Sequence, residues 1–207
     1  MALPRTIYLI RHAQSRPSDD TPEAQWPLSD RGARQAESLA SLLEPLGIVE
    51  VWSSPYLRCQ RTIEPFAQRA GSDVHVHDGL RERKIVHGIS DDFAAICNRS
   101  WQDFDFALSG CETSAAAQAR FVAAIDEIVK QTDADPLGVC SHGNVIGLFL
   151  HHVDRACGRP EAEALTNPDV LRIRFVDGRH AWDRSFGLPA LSAIATHHSD
   201  TRVQRKA

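Results

Sequence analysis

Residues 6–14 read Thr6-Ile7-Tyr8-Leu9-Ile10-Arg11-His12-Ala13-Gln14. The first five residues form an apolar, β-branched and aromatic run that is typical of a buried strand. Arg11 and His12 follow at its carboxyl end, which is where open α/β sheets bind their ligands. The stretch therefore predicts a central strand that presents an arginine and a histidine to a ligand.

Strand and helix patterns alternate along the chain, which indicates an α/β fold with a mainly parallel central sheet and helices on both faces. Strands are predicted at residues 6–10, 48–52, 73–77 and 137–140. Helices are predicted from about Asp30 to near Gly47, from Ser54 (cap) and Pro55 (first position) to Gly71, from about Thr113 to Gln131, and just after Gly143. A C-terminal hairpin is predicted from Val170 to Asp183 with its turn at Asp177-Gly178. The polar tail after about Ser192 is expected to fray.

Polar groups follow each of the four predicted parallel strands. They are Arg11 and His12, then Ser53-Ser54-Pro55 leading to Arg58, then Glu82, and finally Ser141-His142-Gly143. Because the carboxyl ends of parallel strands meet at one edge of a sheet, we expect these groups to share one pocket. Helix N-termini near Pro55 and Asn144 would add backbone N–H donors to it.

These residue types suit the chemistry of a phosphoryl group. An arginine fork matches two phosphate oxygens and stays charged at any working pH. A histidine can attack phosphorus through one ring nitrogen while the other donates to an acceptor that fixes the tautomer. A carboxylic acid can protonate the leaving oxygen and then deprotonate water. The set predicts a two-step transfer through a phosphohistidine.

A series of short motifs, in order over roughly residues 5–152, resembles the histidine phosphatase superfamily, which includes cofactor-dependent phosphoglycerate mutases. The motifs are Arg11-His12-Ala13-Gln14, Pro27-Leu28-Ser29-Asp30-Arg31-Gly32 with Gln35-Ala36, Ser53-Ser54-Pro55-Tyr56-Leu57-Arg58-Cys59, Leu80-Arg81-Glu82, Gly110-Cys111-Glu112-Thr113 and Ser141-His142-Gly143. The resemblance implies a phosphoglycerate mutase-like fold in a single domain over 1–207. It also implies a small helical cap inserted at about 84–112.

The resemblance further implies a role for each matching residue. His12 would be the nucleophile that becomes phosphorylated, and Glu82 would be the general acid and base. Arg11, Arg58 and His142 would bind the phosphoryl oxygens and stabilise charge during the transfer, with Ser15 as a further phosphate contact. The resemblance also implies that hydrolysis needs no metal or organic cofactor, so no cofactor is expected.

Some assignments stay open from the sequence alone. The run Ile85-Val86-His87-Gly88-Ile89 departs from the family pattern after Glu82, so Asp91 or Asp92 is the alternative acid and base. Arg61 stands where the family usually has Gln, and we expect it to pair with Glu64. The aromatic residues of the cap either line a substrate cavity or form a small core of the cap; these are Phe93, Trp101, Phe104 and Phe106.

The sequence thus predicts a phosphomonoester hydrolase for a small phosphorylated substrate, with a phosphoprotein less favoured. One alternative is a phosphomutase of the phosphoglycerate mutase type, which would need a closed cavity to retain its intermediate. The other is a catalytically weak phospho-ligand-binding or regulatory module. The sequence predicts neither the substrate nor the oligomeric state.

Composition argues against several other classes of protein. A net charge of −4 is unlike a general nucleic-acid binder. There is no apolar run of membrane-spanning length and no signal peptide pattern, so a cytoplasmic location away from membranes is expected. The five cysteines are odd in number and widely spaced, which argues against a disulfide framework. Paired histidines such as His75/His77, His151/His152 and His197/His198 lack the companions of a metal site, so no metal is expected.

Overall fold

The computed structural model describes residues 4–196, and within them lies one six-stranded sheet. The strands are β1 (Arg5–Arg11), β2 (Glu50–Ser53), β3 (Val74–Val76), β4 (Leu137–Ser141), β5 (Asp169–Val176) and β6 (Arg179–Trp182). Their order is β3-β2-β4-β1-β5-β6. The first four in that order are parallel, whereas β5 is antiparallel to both β1 and β6. The predicted mainly parallel sheet and C-terminal hairpin are confirmed, and both turn residues, Asp177 and Gly178, have positive φ.

Helices cover both faces of this sheet, as predicted. They are α1 (Asp30–Leu43), α2 (Leu57–Ala70), α3 (Phe93–Gln102), α4 (Ser114–Gln131), α5 (Gly143–Val153) and α6 (Arg159–Ala164). Side chains of α1 and α2 pack with Tyr8 and Ile10 of β1, while those of α4 and α5 pack with Ile7 and Leu9. Both faces of β1 are thus buried, which explains why its sequence is apolar on both faces. Within residues 4–196 no helix is long and apolar enough to cross a membrane.

The ends of α1 follow the local signals, whereas the start of α2 does not. Ser29 caps α1 by accepting a hydrogen bond from the Gly32 N–H, and Gly47 closes the following turn with φ +66°. The expectation that Ser54 caps α2 is wrong, because the helix begins at Leu57. The Ser54 hydroxyl instead lies 2.8 Å from Nε2 of His142.

The region 84–112 contains one helix, α3, in agreement with the predicted helical cap. The buried guanidinium of Arg83 anchors it by donating to the hydroxyls of Ser100 and Ser114 at 3.0 and 2.7 Å. Trp101 and Phe104 pack against the main core. For these two aromatic residues the structure therefore favours core packing over a substrate cavity.

The tail is ordered further than the sequence suggests. Thr196 pairs with Asn167 through two backbone hydrogen bonds of 2.8 and 2.9 Å and is buried. The Ile194 carbonyl accepts a hydrogen bond from Nε2 of Gln35 at 2.7 Å. The prediction that the chain frays after about Ser192 is therefore wrong for residues 193–196. The rest of the tail lies outside the described residues.

Candidate active site

The parallel pairing of β1 with β4 brings the two predicted histidines together. Arg11 is the register partner of Ser141, and the backbone N–H of His12 donates to the Ser141 carbonyl at 3.0 Å. The rings of His12 and His142 consequently lie edge to face with centroids 5.2 Å apart. α2 delivers Arg58 to the same place, so the expected meeting of strand ends occurs.

The ring of His12 is held in one tautomer by its own chain. Nδ1 lies 2.7 Å from the carbonyl oxygen of Ala13, and because a carbonyl only accepts, Nδ1 carries the proton. Nε2 then keeps its lone pair and accepts a hydrogen bond from Nε of Arg58 at 3.2 Å. A lone pair beside a permanent cation is the arrangement of a nucleophile that meets an anionic target.

The segment after β1 is fastened to its surroundings by residues that no motif singled out. The Ala13 N–H donates to the hydroxyl of Thr62 at 2.9 Å, and that hydroxyl donates to the Arg58 carbonyl at 2.7 Å. Nδ2 of Asn167 donates to the His12 carbonyl at 2.8 Å. These bonds fix the position of the candidate nucleophile at the carboxyl end of β1.

Arg11 lies across the first turn of α5. A Cβ on Gly143 would stand 2.8 Å from the guanidinium, so this close approach requires glycine. One terminal nitrogen donates to the Leu165 carbonyl, whereas the buried Nε has no hydrogen-bond partner within the described residues. Burial lowers the pKa of Arg11 to about 10, opposed by the nearby charges of Glu82 and Asp169. Arg11 thus stays a cation at neutral pH, and its buried Nε–H is available to a ligand.

Glu82 occupies the N-terminus of α5. Its Oε2 accepts from the Asn144 N–H at 3.2 Å, and its Oε1 accepts from the N–H groups of Val145 and Arg83 at 3.2 and 2.9 Å. Burial raises the pKa of Glu82, while these hydrogen bonds and the charge of Arg58 oppose the rise. A carboxyl with a raised pKa inside a cationic pocket can hold or release a proton.

One expectation about this pocket changes as a result. The Asn144 and Val145 N–H groups of α5 donate to Glu82, so they are engaged by a protein carboxylate rather than left for a ligand. The other expected helix N-terminus is present, since α2 begins at Leu57, two residues after Pro55. Asp91 and Asp92 lie exposed just before α3, so Glu82 is the better-placed acid.

His142 is fully buried and stands directly before α5. Its Nε2 lies 2.8 Å from the Ser54 hydroxyl and 3.4 Å from Sγ of Cys59. Burial lowers the pKa of His142 well below the usual range, and the charges of Arg58 and its other basic neighbours act in the same direction. It is therefore a neutral imidazole at neutral pH.

Glu23, rather than Ser15, has a side-chain contact with this pocket. Ser15 forms a backbone bridge with Leu28, and its hydroxyl has no hydrogen bond among residues 4–196, so its phosphate contact stays a prediction. Glu23 carries no motif, yet its Oε1 accepts from Nη2 of Arg58 at 2.9 Å. No pattern in the sequence singles Glu23 out. Arg61 pairs with Glu64 at 2.6 Å, as predicted.

Metal-binding and disulfide chemistry have no visible basis in the described part of the chain. Residues 4–196 contain no group of three or more His, Cys, Asp or Glu side chains that could hold a metal ion. The cysteines are free thiols, and those nearest the site, Cys59 and Cys140, are buried.

A model of the histidine phosphatase superfamily (branch 1) matches residues 7–185, and the chain belongs to this superfamily. Among curated proteins, the "Probable phosphoglycerate mutase GpmB" of Cronobacter sakazakii is 35% identical over 79 residues, which are 37% of each chain. The 8-oxo-(d)GTP phosphatase of Mycolicibacterium smegmatis is 33% identical over 82 residues, 38% of this chain and 25% of that protein. The matched segment spans well under two thirds of either relative.

Solved structures match over more of the chain at lower identity. A mycobacterial glucosyl-3-phosphoglycerate phosphatase is 22% identical with a TM-score of 0.72, covering 87% of this chain and 98% of that one. The alpha-ribazole phosphatase of Shigella flexneri is 19% identical with a TM-score of 0.66, covering 86% and 94%. At this identity the likeness shows the shared fold, and the predicted phosphoglycerate mutase-like architecture is confirmed.

Proposed function

We propose that the protein is a phosphomonoester hydrolase that acts through a phosphohistidine on His12. The observation that carries this proposal is the orientation of His12, whose Nδ1–H is bound to Ala13 while Nε2 faces the guanidinium of Arg58. Membership of the histidine phosphatase superfamily supports it. The substrate would be a small phosphorylated molecule.

In the first half-reaction Nε2 of His12 attacks phosphorus, a P–N bond forms and the P–O bond to the alcohol breaks. The unused Nε–H of Arg11 would bind one phosphoryl oxygen and Arg58 another. Glu82, whose pKa is raised by burial, would in its acid form give its proton to the leaving alcohol oxygen. The neutral imidazole of His142 would add a hydrogen bond to the phosphoryl group without adding charge.

In the second half-reaction a water molecule attacks the phosphohistidine. The Glu82 carboxylate would take one proton from that water, the P–N bond breaks, and inorganic phosphate leaves with His12 restored. Arg11 and Arg58 would stabilise the negative charge on the phosphoryl oxygens in both half-reactions. We therefore propose that hydrolysis needs neither a metal ion nor an organic cofactor.

The first experiment is p-nitrophenyl phosphate hydrolysis near pH 6–7 in the presence of EDTA. Wild type is expected to turn over, and His12→Ala is expected to lose at least about a thousandfold in kcat/KM because the nucleophile is gone. His152→Ala is the matched control, since His152 is exposed at the far end of α5. Equal rates for wild type and His12→Ala would refute the proposal.

A second candidate is the phosphomutase, which the partial match to a phosphoglycerate mutase-like protein favours. A mutase would return the phosphoryl group to its intermediate, so 3-phosphoglycerate would yield 2-phosphoglycerate rather than inorganic phosphate. Product analysis by phosphorus NMR separates the two activities. Phosphate as the sole phosphorus-containing product supports hydrolysis.

A further inference from the structure

The guanidinium of Arg58 is held by a carboxylate that the proposed reaction does not use. Nη1 of Arg58 donates to the carbonyl of Glu23 and Nη2 to its Oε1, both at 2.9 Å. The third nitrogen, Nε, donates to His12. Every nitrogen of this arginine is therefore engaged, and two of the three are engaged by Glu23.

Glu23 stands on the outer side of that arginine. The side chain of Arg58 is 4% exposed, whereas that of Glu23 is 35% exposed. His12, on the inner side, is buried. A phosphoryl group that is attacked in line by Nε2 of His12 has its leaving oxygen on the side opposite the nucleophile. The alcohol would therefore leave toward the solvent side, where the Glu23 carboxylate lies.

The charge of Glu23 reaches other groups in the pocket. After the larger effect of burial, it contributes to raising the pKa of Tyr56, and it acts in the same direction on Glu82. A second anion at this position would meet the same repulsion. Hydroxyl groups would not, because a carboxylate has only acceptor oxygens and binds O–H donors well.

Two aromatic rings stand beside the same arginine. The guanidinium carbon of Arg58 lies 4.8 Å from the Tyr56 ring centroid and 5.8 Å from that of Trp26. An aromatic face next to an acceptor carboxylate suits a polyol or sugar, whose C–H groups pack on the ring while its hydroxyls donate. We propose that Glu23 determines specificity, favouring phosphomonoesters with an uncharged, hydroxyl-rich alcohol over those with a carboxylate near the phosphoryl group.

This inference rests on the proposed hydrolase activity, and one substrate pair tests it. Glycerol 3-phosphate and 3-phosphoglycerate share a three-carbon chain and differ by a hydroxymethyl group in place of a carboxylate. Wild type is expected to show a kcat/KM for glycerol 3-phosphate that is higher by about tenfold or more. Glu23→Gln is expected to reduce this ratio about fivefold or more, chiefly through a higher kcat/KM for 3-phosphoglycerate.

Two further variants make the test specific. Glu23→Asp keeps the charge and is expected to keep most of the discrimination. Glu64→Gln removes an exposed carboxylate from another ion pair of α2, with Arg61, and is expected to leave the kcat/KM for both esters unchanged. Circular dichroism would verify that each variant is folded.

The outcomes separate this inference from the activity on which it rests. If wild type hydrolyses p-nitrophenyl phosphate but treats the two esters equally, the specificity role is overturned and the hydrolase stands. The role is also overturned if Glu23→Gln slows both esters by one common factor, because Glu23 would then only position Arg58. Absence of His12-dependent hydrolysis with any ester overturns both proposals.

Discussion

Nε of Arg58 donates a hydrogen bond to Nε2 of His12 at 3.2 Å. The candidate nucleophile and the cation that would bind its target are thus in direct contact. Because Nδ1 of His12 is committed to the Ala13 carbonyl, the contact orients the lone pair without protonating it. An incoming phosphoryl group would be inserted between partners that already face each other.

Replacing Arg58 with lysine tests how much the planar fork matters. Lysine keeps the charge but cannot contact both His12 and Glu23 through separate nitrogens, so kcat/KM for p-nitrophenyl phosphate is expected to fall about a hundredfold. Arg61→Lys is the control, because Arg61 lies in the same helix with an exposed carboxylate partner. Activity of Arg58→Lys within about twofold of wild type would contradict a requirement for separate guanidinium contacts with His12 and Glu23.

The raised pKa of Glu82 predicts a pH effect that depends on the leaving group. The acid form protonates the alcohol, and its population falls as pH rises through the pKa. For an alkyl phosphate, kcat should therefore decline above a pKa that is higher than the ordinary glutamate value of about 4.3. Glu82→Gln should lose this limb and slow alkyl phosphates about a hundredfold while slowing aryl phosphates much less.

The comparison of alkyl with aryl phosphates also tests the weak-binder alternative. Aryl oxides leave with little proton assistance, so an enzyme with an impaired acid would still hydrolyse them, whereas a pure binding module would hydrolyse neither. An equal loss for both ester classes in Glu82→Gln would show that Glu82 is not the proton donor.

The buried neutral His142 predicts lower stability in acid. An unfolded histidine titrates near about 6.5, whereas the pKa of folded His142 lies well below this value. Between the two pKa values the unfolded state binds more protons, so the free energy of unfolding decreases as pH falls below about 6.5. Urea unfolding at pH 8, 7, 6 and 5 measures the slope.

His142→Asn should flatten that slope by removing the titrating group. His152→Asn removes an exposed histidine from the end of α5 and should leave the slope unchanged. A His142→Asn slope identical to that of wild type would mean that other groups cause the acid sensitivity.

Gly32→Ala tests a close contact against helix propensity. Gly32 lies in the first turn of α1, where alanine would ordinarily add about 1 kcal/mol of stability. A Cβ there would stand 1.9 Å from the Gln14 carbonyl oxygen, so we expect a loss of about 3 kcal/mol in the free energy of unfolding instead. At Gly187 a Cβ meets nothing within 4 Å, which makes Gly187→Ala the control for urea unfolding. A stabilised Gly32→Ala would show that α1 shifts freely.

Local signals succeeded where the structure depends on neighbours in the chain. The apolar run before Arg11, the helix start near Asp30 and the helix stop near Gly47 each depend on a few neighbouring residues, and each has the predicted consequence. The start of α2 was predicted wrongly because the Ser54 hydroxyl contacts His142, which lies 88 positions away. The last described residues were missed for the same reason, since Thr196 pairs with Asn167.

By itself the sequence determined which residues stand at the carboxyl ends of parallel strands, because side-chain alternation and chain direction depend on the order of residues alone. That was enough to bring Arg11, His12 and His142 into one pocket. Only the tertiary structure decided the contacts within that pocket. Glu23 accepts from Arg58, Glu82 accepts from the first turn of α5, and the Leu165 carbonyl accepts from Arg11. Those contacts depend on how loops close across the sheet, and no periodic pattern in the chain encodes that path.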